Sequence, residues 1–272
     1  MDQLHDGVVG VSGQGTILTI GSPDLEPETS LSKEVGLYYQ GSQGLSANAT
    51  VFRNDFDDKI ASGPSIPNCE YPTNPNLPGC VSFGSGFQQE DFGQSINLDE
   101  AITEGLELAA TFPLAPRWSL SMNYTYTDSE VKENGVSNGK LADTPRHMAH
   151  AKLNWHSTDR LNLWLKADYR GESRRFDGRT SDLTGQDLAI YEAVGDLKAY
   201  ELFSLGGSYK MNDHLTLSAT VENLANKDFR SFKAYEYSGS TEYASEYSHF
   251  SRSTKGAVLE GRRLWLSANV TF

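Results

Sequence analysis

The chain has no run of eighteen or more apolar residues, so no segment can cross a bilayer as a helix. Basic residues are in the minority, 23 against 36 acidic ones, for a net charge of −13. A nucleic-acid partner is therefore excluded, because phosphates require a basic face. The start, Met1-Asp-Gln-Leu-His-Asp6, has neither a basic n-region nor an apolar h-region, so no export signal is expected within it. Only Cys69 and Cys80 are cysteines. Two thiols are too few for a zinc site without nearby histidines. Both lie in one Pro/Asn/Gly-rich loop, and the expected pairing is a local disulfide stapling an exported segment. No Gly-rich phosphate loop follows a strand and opens a helix, and Gly206-Gly207 falls inside a strand. His147 and His150 have opposite strand parity and cannot share a metal on one face. Asp55, Asp57 and Asp58 lack the Gly and Glu that complete a calcium loop. No Ser/His/Asp set has an identifiable elbow. No metal, cofactor or catalytic activity is expected, and the chain reads as a non-enzyme.

What the sequence does contain is period two. In Arg262-Arg-Leu-Trp-Leu-Ser-Ala-Asn-Val-Thr-Phe272, Leu264, Leu266, Ala268, Val270 and Phe272 share one parity, with Arg263, Trp265, Ser267, Asn269 and Thr271 on the other. Alternation over roughly ten residues is the span of a tilted membrane strand, apolar outside and polar inside. Low mean hydropathy (−0.49) is compatible with this, because alternating strands average to near neutral. The pattern recurs in about nine strands: Lys33–Gln40, Leu45 toward Ile60, about Gln94–Phe112, Trp118–Thr127, His147–Trp155, Leu161–Arg170, Tyr200–Lys210, Leu215–Asn223 and the terminal strand. Asn48, Asn123 and Asn269 head glycosylation sequons, yet each lies at an inward polar strand position.

The connections alternate in length. Residues 41–44, 113–116, 156–160 and 211–214 are short, whereas 61–93, 128–146, 171–199 and 224–261 are long. Short turns on one side and long loops on the other are expected of an antiparallel transmembrane β-barrel with periplasmic turns and extracellular loops. A soluble sandwich shows no such alternation, and long structureless loops are unusual in compact domains. The terminal Phe272 then sits at the periplasmic edge as a carboxy-terminal outer-membrane signal. Trp118, Trp155 and Tyr209 flank short turns on the outward parity, where an interfacial girdle belongs.

Glu104 breaks the pattern. It shares parity with Leu106 and Leu108, eight residues above Phe112, or ~20 Å at the rise of a tilted strand. Either it emerges at the outer margin of the apolar band or a bulge at Gly105 resets the parity.

The candidate binding residues lie in the long loops. Residues 232–250 carry Tyr235, Tyr237, Tyr243 and Tyr247 with Phe232 and Phe250 among small polar residues, a composition suited to binding surfaces. Residues 170–179 carry Arg170, Arg174, Arg175 and Arg179 in an otherwise acidic chain. Together they suit an aromatic anionic ligand through charge-assisted hydrogen bonds and cation–π contact. Solvated loop tips, or arginines on lipopolysaccharide phosphates, are the alternative.

Several stretches resemble TonB-dependent outer-membrane receptors. Ser22-Pro-Asp-Leu-Glu-Pro-Glu-Thr-Ser30 with Lys33-Glu-Val-Gly-Leu-Tyr-Tyr39 resembles the family's N-P-D-L-K-P-E-x-S…E-x-G passage, and Ile102-Thr-Glu-Gly-Leu-Glu107 its x-x-x-G-x-E strand. Thr144-Pro-Arg-His147, Val221-Glu-Asn-Leu-Ala-Asn-Lys-Asp-Phe229 and Phe272 match the later barrel, with Ala225-Asn226 departing from the usual Phe-Asp. The resemblance implies about nine strands of a 22-stranded barrel, with residues 1–31 an extracellular loop and strand entry and 32–272 the carboxy-terminal part of the barrel. It also implies that the plug, TonB box and signal peptide lie outside this chain. The implied partners are a ferric siderophore of the catecholate type, outer-membrane lipids and, through the amino-terminal part, the TonB complex. A receptor for haem or another scarce ligand is the second reading. An N-P-N-L string occurs at Asn74–Leu77, but inside the cysteine loop, while Ser22–Leu25 at the strand entry departs from the haem form and the companion F-R-A-P is not present. A small stand-alone barrel or soluble sandwich is the third.

Overall fold

A computed structural model of the chain describes residues 8–11, 17–63, 66–72, 77–84, 90–237, 239–249 and 259–271. Phe250 and Phe272 lie outside the described residues. The chain begins with a hairpin of β1 (Val8–Val11) and β2 (Ile17–Ile20), then enters β3 (Thr29–Gln40) and β4 (Ser46–Ser62). The first long loop holds a short pair, β5 (Ile66–Pro67) with β6 (Asp91–Phe92). Then come β7 (Ser95–Ala115), β8 (Trp118–Glu133), β9 (Val136–Ser137), β10 (His147–His156) and β11 (Leu161–Arg170). The third long loop contains helix α1 (Gly185–Val194). After β12 (Tyr200–Lys210) and β13 (Leu215–Glu222), the last long loop forms a hairpin, β14 (Phe232–Tyr237) with β15 (Ser240–Ser245), before β16 (Arg263–Val270).

Nine of these strands form one antiparallel sheet in the order β16-β13-β12-β11-β10-β8-β7-β4-β3, with β9 attached to β8. They are the nine strands that period two predicts, in a meander of sequential hairpins. The sheet does not close among the described residues: β3 and β16 each have one strand neighbour.

The cross-strand register shows why these segments are strands. Phe112, Leu120, Leu153, Leu165, Leu205, Val221 and Leu264 stand opposite one another in a continuous outward row across seven strands. Apolar outward rows and polar inward rows fix the register, since a slip of one residue would exchange the faces. Leu37 is 75% exposed and Leu266 72%, so this outward face is not a protein core. The inward face is polar: His150 Nδ1 lies 2.6 Å and Lys166 Nζ 2.9 Å from Asp168 Oδ1. Near the short turns, Trp118 and Trp155 stack outward with ring centroids 5.0 Å apart, as a girdle pair.

The strands run further at their loop ends than the alternation suggests. β8 continues to Glu133 rather than stopping at Thr127, because its ladder with β7 persists to the Glu100–Lys132 pair, joined by an ion pair of 2.8 Å. The Gly105 bulge is overturned. The β7–β8 register is continuous from Glu100 to Pro113, and the β4–β7 register is continuous through Phe52–Gly105. Glu104 therefore points outward, where Arg53 Nη1 donates to its Oε2 at 3.1 Å. Gly105 is required for space instead: a Cβ there would meet the Tyr126 carbonyl at 2.0 Å and the Phe52 ring at 2.9 Å.

Buried clusters lie at the loop ends of the strands and in the loops above them. One joins Ile20 and Phe92 with Ile66, Val81 and Phe83, and another joins Ala101, Val131 and Leu141 with Phe56 and Leu98.

Candidate ligand-binding loops

The long loops emerge together from one edge of the sheet and fold onto one another. Gly139 and Gly178 bring the second and third loops into backbone contact. Gly178 N–H donates to the Lys140 carbonyl at 2.9 Å, and a Cβ on Gly139 (φ +105) would meet the Gly178 carbonyl at 2.1 Å. Arg179 adds a bond to the Ser137 carbonyl while its side chain stays near the surface.

Arg175 ties the third loop to the fourth. It is buried, with Nε donating to the Gly195 carbonyl at 2.9 Å, Nη1 to Ser248 at 3.0 Å and Nη2 to Ser245 at 2.6 Å. Burial draws its pKa below the usual guanidinium range, against the pull of Asp196 and Asp143. Arg174 Nε stands 3.4 Å from Asp196 Oδ1, and its Nη2 donates to the Gly178 carbonyl. Asp196 Oδ1 in turn accepts the Arg175 N–H at 3.2 Å. At the same junction Lys198 pairs with Glu246, which also accepts from the Ser231 hydroxyl. The Lys198 hydrogen bond, then that of Ser231, holds the Glu246 carboxyl below its ordinary range.

The aromatic residues occupy several settings. Tyr247 meets Phe229 edge-on at 5.3 Å and Tyr200 at 6.3 Å, while Lys227 Nζ lies 5.1 Å from its ring. Tyr235 is buried and accepts from Gln186 Nε2 of α1 at 2.9 Å. Tyr237 donates to Asp91 Oδ2 at 3.0 Å, fastening the hairpin to the first long loop. Burial, then the Asp91 hydrogen bond, raises the Tyr237 phenol far above its ordinary range. Tyr243 stands opposite Ala234 in the hairpin. Burial raises Asp187 of α1 and Glu90 as well, with Asp91 adding to both. In the first loop Cys69 and Cys80 form a disulfide with Cα atoms 5.2 Å apart.

The structure thus joins Arg174 and Arg175 to the Tyr247 end of the hairpin through Asp196, Ser245 and Ser248. Tyr235 and Tyr237 sit at its other end, against α1 and Asp91, and Arg179 faces the second loop. Sequence reasoning did not identify the partners Asp91, Gln186, Asp196, Lys198, Phe229 and Glu246. Phe229 and Tyr200 carried a signal, because large aromatics at strand and loop junctions pack somewhere. The remainder are polar residues whose pairing spans dozens of positions.

Residues 2–224 match the family "TonB dependent receptor-like, beta-barrel". The "Iron-regulated outer membrane virulence protein" of Vibrio cholerae serotype O1 is 34% identical over 262 residues, 96% of this chain and 33% of the relative. The "Ferric enterobactin receptor" of Pseudomonas aeruginosa is 34% identical over 239 residues, 85% of this chain and 29% of the relative. A crystal structure of a mutant of the Pseudomonas aeruginosa receptor in complex with enterobactin superposes with a TM-score of 0.60 at 27% identity, covering all of this chain and 36% of that one. The chain spans about a third of the length of these curated relatives.

Proposed function

The chain belongs to the TonB-dependent receptor β-barrel family, and from that premise we propose that it is the carboxy-terminal barrel portion of an outer-membrane receptor importing an iron–siderophore complex. Relatives named as ferric enterobactin receptors support the siderophore class, and enterobactin is the ligand named for the superposed structure. Its outer-membrane setting follows from the family and from relatives named as outer-membrane proteins. The two sheet edges that have no strand partner among the described residues support a longer protein, because an open edge in lipid leaves backbone groups unsatisfied.

The observation that carries the reading is the clustering of cationic and aromatic side chains in loops that hold one another by buried polar contacts. In this reading Arg174, Arg179, Tyr243 and Tyr247 meet an anionic aromatic ligand by charge-assisted hydrogen bonds and ring contact. Arg175, Tyr235 and Tyr237 hold the loops that present them. TonB engages the amino-terminal part of the longer receptor.

The test is uptake of radiolabelled iron as a ferric tricatecholate, in cells whose chromosomal receptor is replaced by the full-length gene. Energy-dependent uptake that weakens about tenfold or more in the Arg174→Ala/Arg179→Ala variant, at unchanged barrel yield, supports the reading. Uptake equal to that of receptor-less cells overturns the siderophore assignment, and unchanged uptake in the variant removes the two arginines from the site.

A further inference from the structure

The outward face of the barrel carries a shaped groove near the short turns. Its floor is small: Ala47 and Ala49 on β4 and Ala110 on β7, with Ala47 directly opposite Ala110. Its walls are large: Leu37 and Tyr39 on β3, and Leu108, Phe112, Met122 and Tyr124 on β7 and β8. All nine residues share the outward parity that the register assigns to the membrane side. The groove is open to the membrane side, with a volume of about 420 Å³.

An apolar groove facing lipid gains nothing from the hydrophobic effect, because lipid tails are as apolar as the groove. Retention there depends on shape, through close contact on a floor and two walls. From Leu108 to Phe112 the wall runs four residues, ~13 Å of strand and ~10 Å of height at the tilt of a barrel strand, a little under half the ~25 Å apolar band of an outer-membrane barrel. The groove is therefore one leaflet tall, at the turn side. Just below it, in the β7–β8 turn, stands Arg117, three residues before Leu120, the partner of Phe112 and ~10 Å away along the strand. The Arg117 side chain is 53% exposed. Its Nη1 donates to the Ser157 carbonyl at 2.5 Å, and its Nη2 lies 3.8 Å from the fully exposed Asp159. The guanidinium fork matches a phosphate. The adjacent stacked rings of Trp118 and Trp155 mark the interface where a headgroup lies.

We propose that this groove holds one acyl chain of a glycerophospholipid from the turn-side leaflet, with the lipid phosphate on Arg117. The proposal rests on the membrane placement of the barrel and is independent of the ligand imported. A specific lipid here would cement the β3–β4–β7–β8 corner.

The experiment titrates delipidated full-length receptor in detergent with phosphatidylglycerol and counts retained lipids by native mass spectrometry. The wild type is expected to retain one lipid beyond the non-specific ladder. Ala47→Leu/Ala110→Leu, which fills the floor on a lipid-facing surface, is expected to lower that fraction about tenfold, and Arg117→Gln about fivefold. Diacylglycerol, which has no phosphate, is expected to bind the wild type as weakly as phosphatidylglycerol binds the Arg117→Gln variant. Equal retention by the filled variant overturns the groove, and equal retention by Arg117→Gln overturns the phosphate contact. A second receptor copy in place of lipid overturns the proposed occupant. Heat-modifiable mobility checks folding of each variant. Ferric tricatecholate binding, measured on the same samples, separates failure of this proposal from failure of the transport reading.

Discussion

Tyr237 in the last long loop donates its phenolic hydrogen to Asp91 in the first, joining segments 146 residues apart in the chain at 3.0 Å. One bond of this kind contributes about 1 kcal/mol net, more when the acceptor is ionised. Tyr237→Phe is therefore expected to accelerate amide exchange in residues 90–92 and 232–237 of the full-length receptor, leaving the exchange of β10–β13 unchanged. The phenol pKa is raised in the folded loops, so its contribution is complete below the ordinary value of about 10 and disappears as pH rises through the raised value. The difference in exchange between wild type and variant should vanish under strongly alkaline conditions and persist at neutral pH.

Arg175 is expected to be the most sensitive loop position. Replacement by Ala leaves the Gly195, Ser245 and Ser248 carbonyls without their donor. Buried unsatisfied groups cost about 1–3 kcal/mol each. Limited proteolysis should cut Arg175→Ala within 171–199 and 239–249 at least tenfold faster than the wild type, while the barrel core stays resistant. Arg175→Lys should recover part of this protection, because one ammonium cannot span three carbonyls in a planar fork.

The Glu246 junction predicts an acid-sensitive contact. Lys198 and Ser231 depress its pKa in the folded loops. The contribution is therefore fully present above the unfolded value of about 4.3 and is lost as pH falls through the depressed one. Protease accessibility of residues 229–249 should rise as pH drops below about 4 in the wild type. In Glu246→Gln it should already be raised at neutral pH and change little with acid.

Gly206 offers a test within the barrel wall. A Cβ there would meet Trp164 Cζ2 at 2.4 Å and Thr220 Oγ1 at 2.9 Å. Gly206→Val should displace the Trp164 ring from the inward face, at about 1–3 kcal/mol for overpacking, and lower the yield of heat-modifiable receptor. Gly206→Val together with Trp164→Ala should restore that yield, which would assign the defect to this contact.

The strands were legible because alternation is imposed by the solvent on each face: Leu161, Leu163 and Leu165 must meet lipid while Asn162 and Lys166 cannot. Glu104 was legible as an exception on the outward parity but its partner was not, since Arg53 comes opposite it only through the β4–β7 register. The loops were less so. Nothing local shows that Arg175 is buried, because its acceptors are backbone carbonyls that any residue supplies. Helix α1 and the β14–β15 hairpin pack against each other, and Gln186 meets Tyr235 across 49 positions of sequence. A cluster of arginines and tyrosines has the same composition whether it faces a ligand or ties a scaffold.

The strands of this wall differ greatly in length. β7 has 21 residues and β16 has 8, while both end at short turns or at the chain's close on the same side. At 3.3 Å per residue that is ~70 Å against ~26 Å. The rim is therefore a parapet along β4, β7 and β8 that falls to a low sill at β13 and β16. The β14–β15 hairpin springs from that sill, between the two shortest strands of the wall, and Tyr237 ties it to the loop that rises from the parapet.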